Sequence, residues 1–222
     1  MTHWADVEAA SLLEKNDGKI VFATAITPSG PIHVGNMREV LTSEAIYRAV
    51  LDAGGEAEFI YIADDYDPLR KVYPFLHDSY QEHVGKPVRQ IPCPDGEGRP
   101  NGCGKHESYA EHFLEPFLGN LDELGIAPTV LSAYQLYHDG RYAQTIRTAM
   151  ERLPEIREII ERISKRQLAK AWSPFNPQCP TCAKIGDVRV TQIDGTQVSA
   201  TCACGDFTVD ATEPGTGNRA WR

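Results

Sequence analysis

The sequence predicts an α/β fold with a parallel sheet, carrying a smaller insertion rich in cysteine. Two apolar segments, at residues 19–26 and 57–63, enclose a helical pattern at about 36–53. A strand, a helix and a second strand in this order favour a parallel pair, because the crossover brings the chain back in the same direction. From 173 to about 211 the composition changes to Pro, Cys, Gly, Thr and Val, which indicates a separate β-rich module.

The bulk composition is that of an ordinary globular protein. A chain of 222 residues, 41% of them hydrophobic, buries about 70% of its unfolded surface. No apolar run approaches the ~20 residues of a membrane span, and the N-terminus lacks the basic and apolar regions of a secretory signal. We therefore expect a cytoplasmic protein with no membrane partner. The net charge of −9 argues against indiscriminate binding to nucleic acid.

The remaining elements follow from periodicity and from breaking residues. Apolar residues at helical spacing predict an amphipathic helix at 3–16, which stops at Asp17-Gly18. Residues 86–106 are rich in Pro and Gly and predict an irregular loop. The later predictions are a helix at 108–124, a strand at 127–131, helices at 140–152 and 155–170 separated at Pro154, and a hairpin of 187–193 with 196–200 around Asp194-Gly195.

The segment between the first strand and its helix, residues 27–36, predicts a phosphate-binding turn. It reads Thr-Pro-Ser-Gly-Pro-Ile-His-Val-Gly-Asn. A helix N-terminus offers free N–H groups and a partial positive charge, which suit a phosphate. The alternative is a tight Pro/Gly turn of the kind found in many α/β domains. The spacing resembles the adenylate-forming signature of class I aminoacyl-tRNA synthetases, with Asn36 in place of its second histidine. The candidate ATP-binding residues are Pro28, Ser29, Gly30, His33, Gly35 and Asn36.

An acidic segment, Asp64-Asp65-Tyr66-Asp67, follows the second strand. Ligands of parallel sheets bind beyond the carboxyl ends of the strands, so this segment and residues 27–36 are expected at one edge. Asp64 or Asp65 could hold an ammonium group, since a buried cation needs a paired carboxylate. The alternative is a capping or turn role for both carboxylates.

The six cysteines fall into two groups, which in a cytosolic chain indicates metal sites before disulfides. Cys179, Cys182, Cys202 and Cys204 have spacings suited to a tetrahedral zinc site. The second candidate set is Cys93, Cys103, His106 and His112, with Asp95 as the alternative to Cys93. A structural zinc would explain how a loop with so few apolar residues is ordered. The alternatives are reduced core thiols and histidines at the start of a helix.

A basic stretch, residues 157–170, carries five Lys or Arg against two Glu. It is either a solvated helix face of alternating charge or a local nucleic-acid contact. Candidate contacts for RNA are Arg162, Lys165, Arg166 and Lys170.

Several segments in order resemble class I lysyl-tRNA synthetase, the archaeal-type family. They are His3-Trp-Ala-Asp6, Thr27 to Glu39, Asp64 to Lys71, His106-Glu-Ser-Tyr-Ala-Glu-His-Phe113 and Gly215-Thr-Gly-Asn-Arg-Ala-Trp-Arg222, together with the cysteine module. The resemblance covers essentially the whole chain. It implies the first half of a Rossmann catalytic domain with a zinc-bearing connective insertion. It also implies lysine, ATP with Mg²⁺, and tRNA(Lys) as substrates, and two structural Zn²⁺ sites.

The resemblance also implies roles for individual residues. His33 and Asn36 would be catalytic, holding the phosphates of ATP in the transition state. The lysine pocket would be lined by Ala25, Thr27, Asp64, Asp65 and Trp221. Ala25 departs from the family, which often has Gly at the wall of this pocket.

The family's second signature, a Lys-Met-Ser-Lys-Ser-like motif, is absent from the sequence, as is an anticodon-binding region. We therefore expect the chain to be the N-terminal part of the enzyme, or a truncated relative, with weak or no aminoacylation alone. Two alternatives are a non-catalytic tRNA- or nucleotide-binding relative and an adenylate-forming ligase with a non-tRNA acceptor. The expected divisions are 1–85 and 86–135 (catalytic), 136–172 (helical connective region), 173–212 (four-cysteine module) and 213–222 (return toward the catalytic domain).

Overall fold

A three-stranded parallel sheet forms the centre of the molecule in the computed structural model, which describes residues 3–219. Its strands are β1 (Ile20–Ile26), β2 (Ala57–Ala63) and β3 (Thr129–Ser132), in that spatial order. Helix α2 (Val34–Asp52) connects β1 to β2. The predicted β-α-β unit and its parallel pairing are confirmed, so residues 27–36 and 64–67 both follow the carboxyl ends of adjacent strands.

Helices cover the sheet through apolar side chains. Helix α1 (Trp4–Lys15) packs on α2 through alanines, and α3 (Tyr109–Glu123) packs on the sheet with α2. The core between the sheet, α2 and α3 includes Val40, Phe59, Tyr61, Phe117 and Leu121. Ser108 caps α3 by accepting a hydrogen bond from Glu111 N, which fixes the predicted start of this helix.

The segment at 86–106 contains little regular structure, as predicted. Short 3₁₀ helices occupy Asp78–His83 and Val88–Gln90. After β3 come α4 (Ala133–His138), α5 (Ala143–Glu151) and α6 (Leu153–Ser164).

The helix predicted at 155–170 ends early, at Ser164, because Lys165 adopts a left-handed conformation with φ 57°. The chain then folds back, and Arg157 donates hydrogen bonds to the carbonyls of Leu168 and Ala169. Pro154 lies in the first turn of α6 and not between the helices. Proline is tolerated there because N–H groups of the first turn have no partner within the helix, so its missing N–H costs nothing.

The cysteine-rich region forms two small antiparallel sheets. Strand β4 (Phe175–Pro177) pairs with β8 (Gly217–Arg219), while β5 (Arg189–Asp194), β6 (Gln197–Cys202) and β7 (Gly205–Asp210) form the second sheet. The predicted hairpin is confirmed, and β7 is an additional strand. This region shares a core with α4 and α5, whose buried members include Tyr66, Tyr137, Phe175, Ile185 and Val198.

Within residues 3–219, none of the helices combines the length and the apolar character that crossing a membrane requires.

Candidate functional site

The turn between β1 and α2 is organised by His33 and Asn36, which cap the helix. His33 Nδ1 accepts a hydrogen bond from Gly35 N at 3.0 Å, and Asn36 Oδ1 accepts from His33 N at 3.4 Å. Because Nδ1 is an acceptor, the neutral imidazole carries its proton on Nε2 and can donate from there. The side chain therefore offers an N–H group next to the N-terminus of a 19-residue helix.

The two glycines of the turn make room for aromatic rings of the chain itself. A Cβ atom on Gly35 would lie 2.8 Å from His33 Cε1, and one on Gly30 would lie 2.8 Å from Phe75 Cζ. Tyr109 donates a hydrogen bond to the carbonyl oxygen of Ser29 at 2.7 Å. The turn is thus held from α3 as well as from its own helix.

A cavity of about 290 Å³ opens beside this turn. Five of the predicted residues line it: Ala25, Thr27, Ser29, Asn36 and Asp64. A neighbouring cavity of about 250 Å³ shares part of this wall and includes His33, Gly30 and Phe75. The structure therefore brings together residues from the ends of both β1 and β2.

The acidic segment divides into buried and cavity-lining members. Asp65 is buried, and its two oxygens accept hydrogen bonds from Ser132 Oγ at 2.7 Å and Tyr134 N at 2.8 Å. Burial raises the pKa of Asp65, although these hydrogen bonds oppose the rise. Asp64 lines the cavity, and its Oδ1 lies 3.4 Å from Arg219 Nη2. Of the two carboxylates, Asp64 is the one placed to meet a ligand.

Three polar residues of the cavity were not singled out from the sequence: Glu39, Arg70 and Tyr73. Glu39 Oε1 accepts a hydrogen bond from Ala25 N at 3.2 Å. The signal for Glu39 was its position three residues after Asn36, which places both on one face of α2. Arg70 and Tyr73 lie in an irregular segment, where no periodicity indicates which way a side chain faces.

The first cysteine–histidine group converges as predicted, with its four ligand atoms within 4.8 Å of one another. Cys93 Sγ lies 3.3 Å from His112 Nδ1, and Cys103 Sγ lies 3.1 Å from His106 Nδ1. Burial opposes ionisation of Cys103, yet hydrogen bonds, including those from Cys93 and His112, lower its pKa to about 5. Two thiols and two imidazoles form a donor set that suits zinc.

Asp95, the alternative fourth member, has another role. Its Oδ1 accepts hydrogen bonds from the N–H groups of Glu97 and Arg99, and its Oδ2 accepts from Asn101 Nδ2. The carboxylate therefore organises the loop, and Cys93 completes the cluster.

The second group, Cys179, Cys182, Cys202 and Cys204, also brings its four sulfur atoms within 4.8 Å of one another. All four cysteines are free thiols, and Cys202 Sγ lies 3.2 Å from Cys179 Sγ. Burial opposes ionisation of Cys179, but hydrogen bonds, first from the Cys182 N–H, lower its pKa to about 7. A thiol that ionises this readily is prepared to ligate a metal.

The four basic candidates are exposed but do not share one helical face. Arg162 lies on α6, whereas Lys165, Arg166 and Lys170 follow its end. Trp221, the remaining predicted residue of the amino-acid pocket, lies outside the described residues.

Comparisons with known proteins identify the family to which the chain belongs. A family model described as tRNA synthetases class I (K) matches residues 2–222. The lysine–tRNA ligase of Methanosarcina barkeri is 50% identical over 99% of this chain and 40% of its own length. Lysine–tRNA ligase 1 of Methanosarcina acetivorans is 51% identical with the same coverage. The lysine–tRNA ligase of Archaeoglobus fulgidus is 49% identical over 91% of this chain and 39% of its own length.

The chain spans about 40% of the length of these curated relatives. Because the family model covers nearly every residue and the identity is close to one half, the chain belongs to the class I (K) family of tRNA synthetases.

Proposed function

We propose that this chain forms the lysine- and ATP-binding part of a lysine–tRNA ligase. The observation that carries the proposal is the single cavity bordered by Asn36 of the phosphate-binding turn and by the Asp64 carboxylate. An amino acid activated by ATP needs its carboxylate next to the α-phosphate, so the carboxylate that holds its ammonium group must border the same cavity as the phosphate-binding turn. The fold around the cavity is then the first half of a Rossmann catalytic domain.

The phosphates of ATP bind at the N-terminus of α2. His33 Nε2 donates a hydrogen bond to a phosphate oxygen, and the Asn36 side chain supports the same turn. Pro28, Ser29, Gly30 and Gly35 shape its backbone, and Mg²⁺ accompanies ATP. The reaction is attack of the lysine carboxylate on the α-phosphate, with pyrophosphate leaving. Catalysis by these residues consists of positioning and of stabilising charge on the transferring phosphate.

Lysine lies between Ala25, Thr27 and Asp64, with an ammonium group near the Asp64 carboxylate. Asp65 supports the pocket by fixing the segment through Ser132 and Tyr134. Glu39 is a second carboxylate on the cavity wall. Trp221 stays a sequence-based proposal for the same pocket.

Zn²⁺ occupies both cysteine clusters in this proposal and has a structural role. The donor sets fit zinc, since each cluster supplies four N or S ligand atoms within 4.8 Å of one another. Bound zinc would cross-link segments that are distant in the sequence.

The acceptor is tRNA(Lys), a proposal supported by the names of the relatives. The exposed basic residues at 162–170 are candidate contacts for it. Their local positive charge contrasts with the overall charge of −9, so a contact here would be restricted to one part of the surface.

Calorimetric titration of the purified protein with a non-hydrolysable lysyl-adenylate analogue tests the proposal. Arginyl, glutamyl and ornithyl analogues serve as controls. Selective binding of the lysyl compound is the expected result. Equal binding of all four would contradict a lysine pocket, and binding of none would favour a non-catalytic relative. If lysyl transfer proceeds to a free small-molecule acceptor but not to tRNA(Lys), the ligase has a different acceptor.

A further inference from the structure

Gln178 is a buried polar residue immediately before the first cysteine of the four-cysteine cluster, and it is 9% exposed. Its Nε2 donates hydrogen bonds to Gln90 Oε1 and to the carbonyl of Ala183, both at 2.7 Å. Its Oε1 accepts from Tyr66 Oη at 2.9 Å. The Ala183 carbonyl belongs to the loop that Cys179 and Cys182 form, so the amide connects that loop with Tyr66.

Tyr66 lies in the middle of the acidic segment and is 1% exposed. Besides Gln178, its hydroxyl contacts the carbonyl oxygen of Gly215 at 2.9 Å, and its own carbonyl accepts from Asn218 Nδ2 at 2.9 Å. Rings of Tyr134, Tyr137 and His138 surround it at centroid distances of 5.2 to 5.4 Å. A side chain held on so many sides gives its backbone little freedom.

The backbone of the same segment is fixed from a second direction by residues next to Gln90. Arg89 N donates to the Asp65 carbonyl and Val88 N to the Asp67 carbonyl, both at 2.9 Å. Because Gln178 also binds Gln90, it connects the two sets of contacts that hold residues 64–67. Asp64, the carboxylate on the cavity wall, is the first residue of this segment.

We propose that Gln178 is a positioning residue: through Tyr66 and Gln90, it couples the four-cysteine module to the acidic wall of the cavity and thereby sets the affinity for the amino acid. The inference rests on the proposed function for the identity of the ligand. The coupling of Gln178 to residues 64–67 does not rest on the proposed function. Gln178 touches no atom of the substrate in this scheme.

The test uses Gln178→Ala, Tyr66→Phe and the double variant, with Tyr80→Phe as the matched control. Tyr80 is equally buried, and its hydroxyl donates to the carbonyl of Pro92 at 2.8 Å, away from the acidic segment. Each variant is titrated with the lysyl-adenylate analogue and with ATP. Amide hydrogen exchange of residues 64–69 is measured without ligand.

We expect either single variant at Gln178 or Tyr66 to weaken binding of the analogue about tenfold, the size of one lost hydrogen bond to a positioned group. The affinity for ATP changes less than about twofold on the same scale. The double variant binds no more weakly than Gln178→Ala alone, since Tyr66→Phe removes a connection that Gln178→Ala has already lost. Exchange at 64–69 accelerates in these variants and not in Tyr80→Phe.

Two results would overturn the inference. One is additive losses in the double variant; the other is an effect no larger than that of Tyr80→Phe at an equal loss of thermal stability. If the wild-type protein fails to bind the lysyl analogue while hydrogen exchange at 64–69 still accelerates in Gln178→Ala, the ligand assignment is wrong and the coupling stands.

Discussion

The two cysteine clusters differ in how much buried structure surrounds them. Around the first, none of residues 95–107 is buried. The second is attached to a three-stranded sheet in which Val198 and Ala200 are at most 1% exposed. Similar donor geometry therefore serves two purposes. The first cluster connects a loop without buried residues to the core around Tyr80, Ile91 and Phe113, whereas the second lies beside a small sheet with its own buried residues.

The clusters also support opposite sides of the same cavity. His112 of the first lies one turn into α3, whose first residue, Tyr109, donates to the Ser29 carbonyl of the phosphate-binding turn. The second cluster reaches the acidic wall through Gln178 and Tyr66. Each cluster thus has its own connection to the cavity wall, and we expect a variant at one cluster to affect its own part of the wall more than the other part.

The largest effect is expected from Cys103→Ala, which removes a ligand of the first cluster. Because none of residues 95–107 is buried, burial of apolar side chains cannot hold this loop in place. The loop should therefore lose its order together with the proposed metal. Limited proteolysis within 95–107 should accelerate at least about 100-fold, because cleavage follows the population of the open loop. Metal analysis should show the loss of one equivalent of zinc.

Cys204→Ala is the matched variant at the second cluster. It should also lose one equivalent of zinc but leave cleavage within 95–107 unchanged. Equal protease sensitivity of this loop in both variants would show that the clusters are not independent.

A smaller effect, confined to the acidic wall, is expected for Asp64→Asn. This change keeps the shape of the side chain and removes the charge that would face the ammonium group in the proposed pocket. The lysyl-adenylate analogue should bind about 100-fold more weakly, as for other charge pairs that lose one member. The affinity for ATP, measured by the same calorimetry, should be unchanged.

Asp187→Asn is the control for Asp64→Asn. Asp187 pairs with Lys184 at 3.2 Å on the surface of the cysteine-rich module, and its side chain is 58% exposed. Loss of this carboxylate should leave both affinities unchanged. A similar loss in the two variants would mean that general charge, and not the position of Asp64, attracts the ligand.

Tyr109→Phe should have a modest effect on the other wall. The variant keeps the buried ring and loses only the hydrogen bond to the Ser29 carbonyl. We expect ATP to bind about fivefold more weakly, which corresponds to ~1 kcal/mol. Binding of lysine without ATP should be unaffected. A loss for lysine of the same size would contradict the separation of the two walls.

The smallest change is expected for Ala25→Gly, at the strand end that both walls share. Glycine in a strand should lower the free energy of unfolding by about 0.5–1 kcal/mol, because it gains backbone freedom in the unfolded chain. The ratio of lysyl to ornithyl analogue affinities should stay within about twofold. Thermal unfolding and calorimetry measure the two quantities. A marked change in that ratio would make Ala25 a determinant of side-chain length.

Local patterns were enough to predict the elements that form the site. Alternation and helical spacing located β1, α2 and β2, and the parallel connection then placed the two following segments at one edge. Short-range spacings indicated both clusters: two knuckle-like turns for the four cysteines, and the pair Cys103-x-x-His106 for the first cluster. The end of α6 was predicted wrongly because the helical pattern of residues continues past Ser164. The helix ends at Lys165, whose left-handed conformation has no sequence signal comparable to a glycine.

Long-range polar contacts could not be predicted in this way. Gln178 lies 112 residues from Tyr66 and 88 from Gln90, so nothing near it in the sequence indicates its partners. Nothing near Asp64 and Asp65 in the sequence indicates that Asp64 lines the cavity while Asp65 is buried. This difference depends on Ser132 and Tyr134, which reach Asp65 only when β3 pairs with β2.

In the proposed lysine pocket, the ion pair between Arg219 and Asp64 would make amino-acid binding an exchange of partners. Both side chains are partly exposed, at 38% and 14%, and their charged atoms are 3.4 Å apart. An arriving ammonium group must displace the guanidinium or share the carboxylate with it, so only the difference between the two pairings favours the complex. Partly exposed pairs are individually weak, of the order of 1 kcal/mol or less. In Asp64→Asn the guanidinium would lose its partner and repel the ammonium group, so the loss of affinity would exceed the net gain from the exchange. Discrimination between cationic amino acids would then depend on how well a ligand reaches the carboxylate.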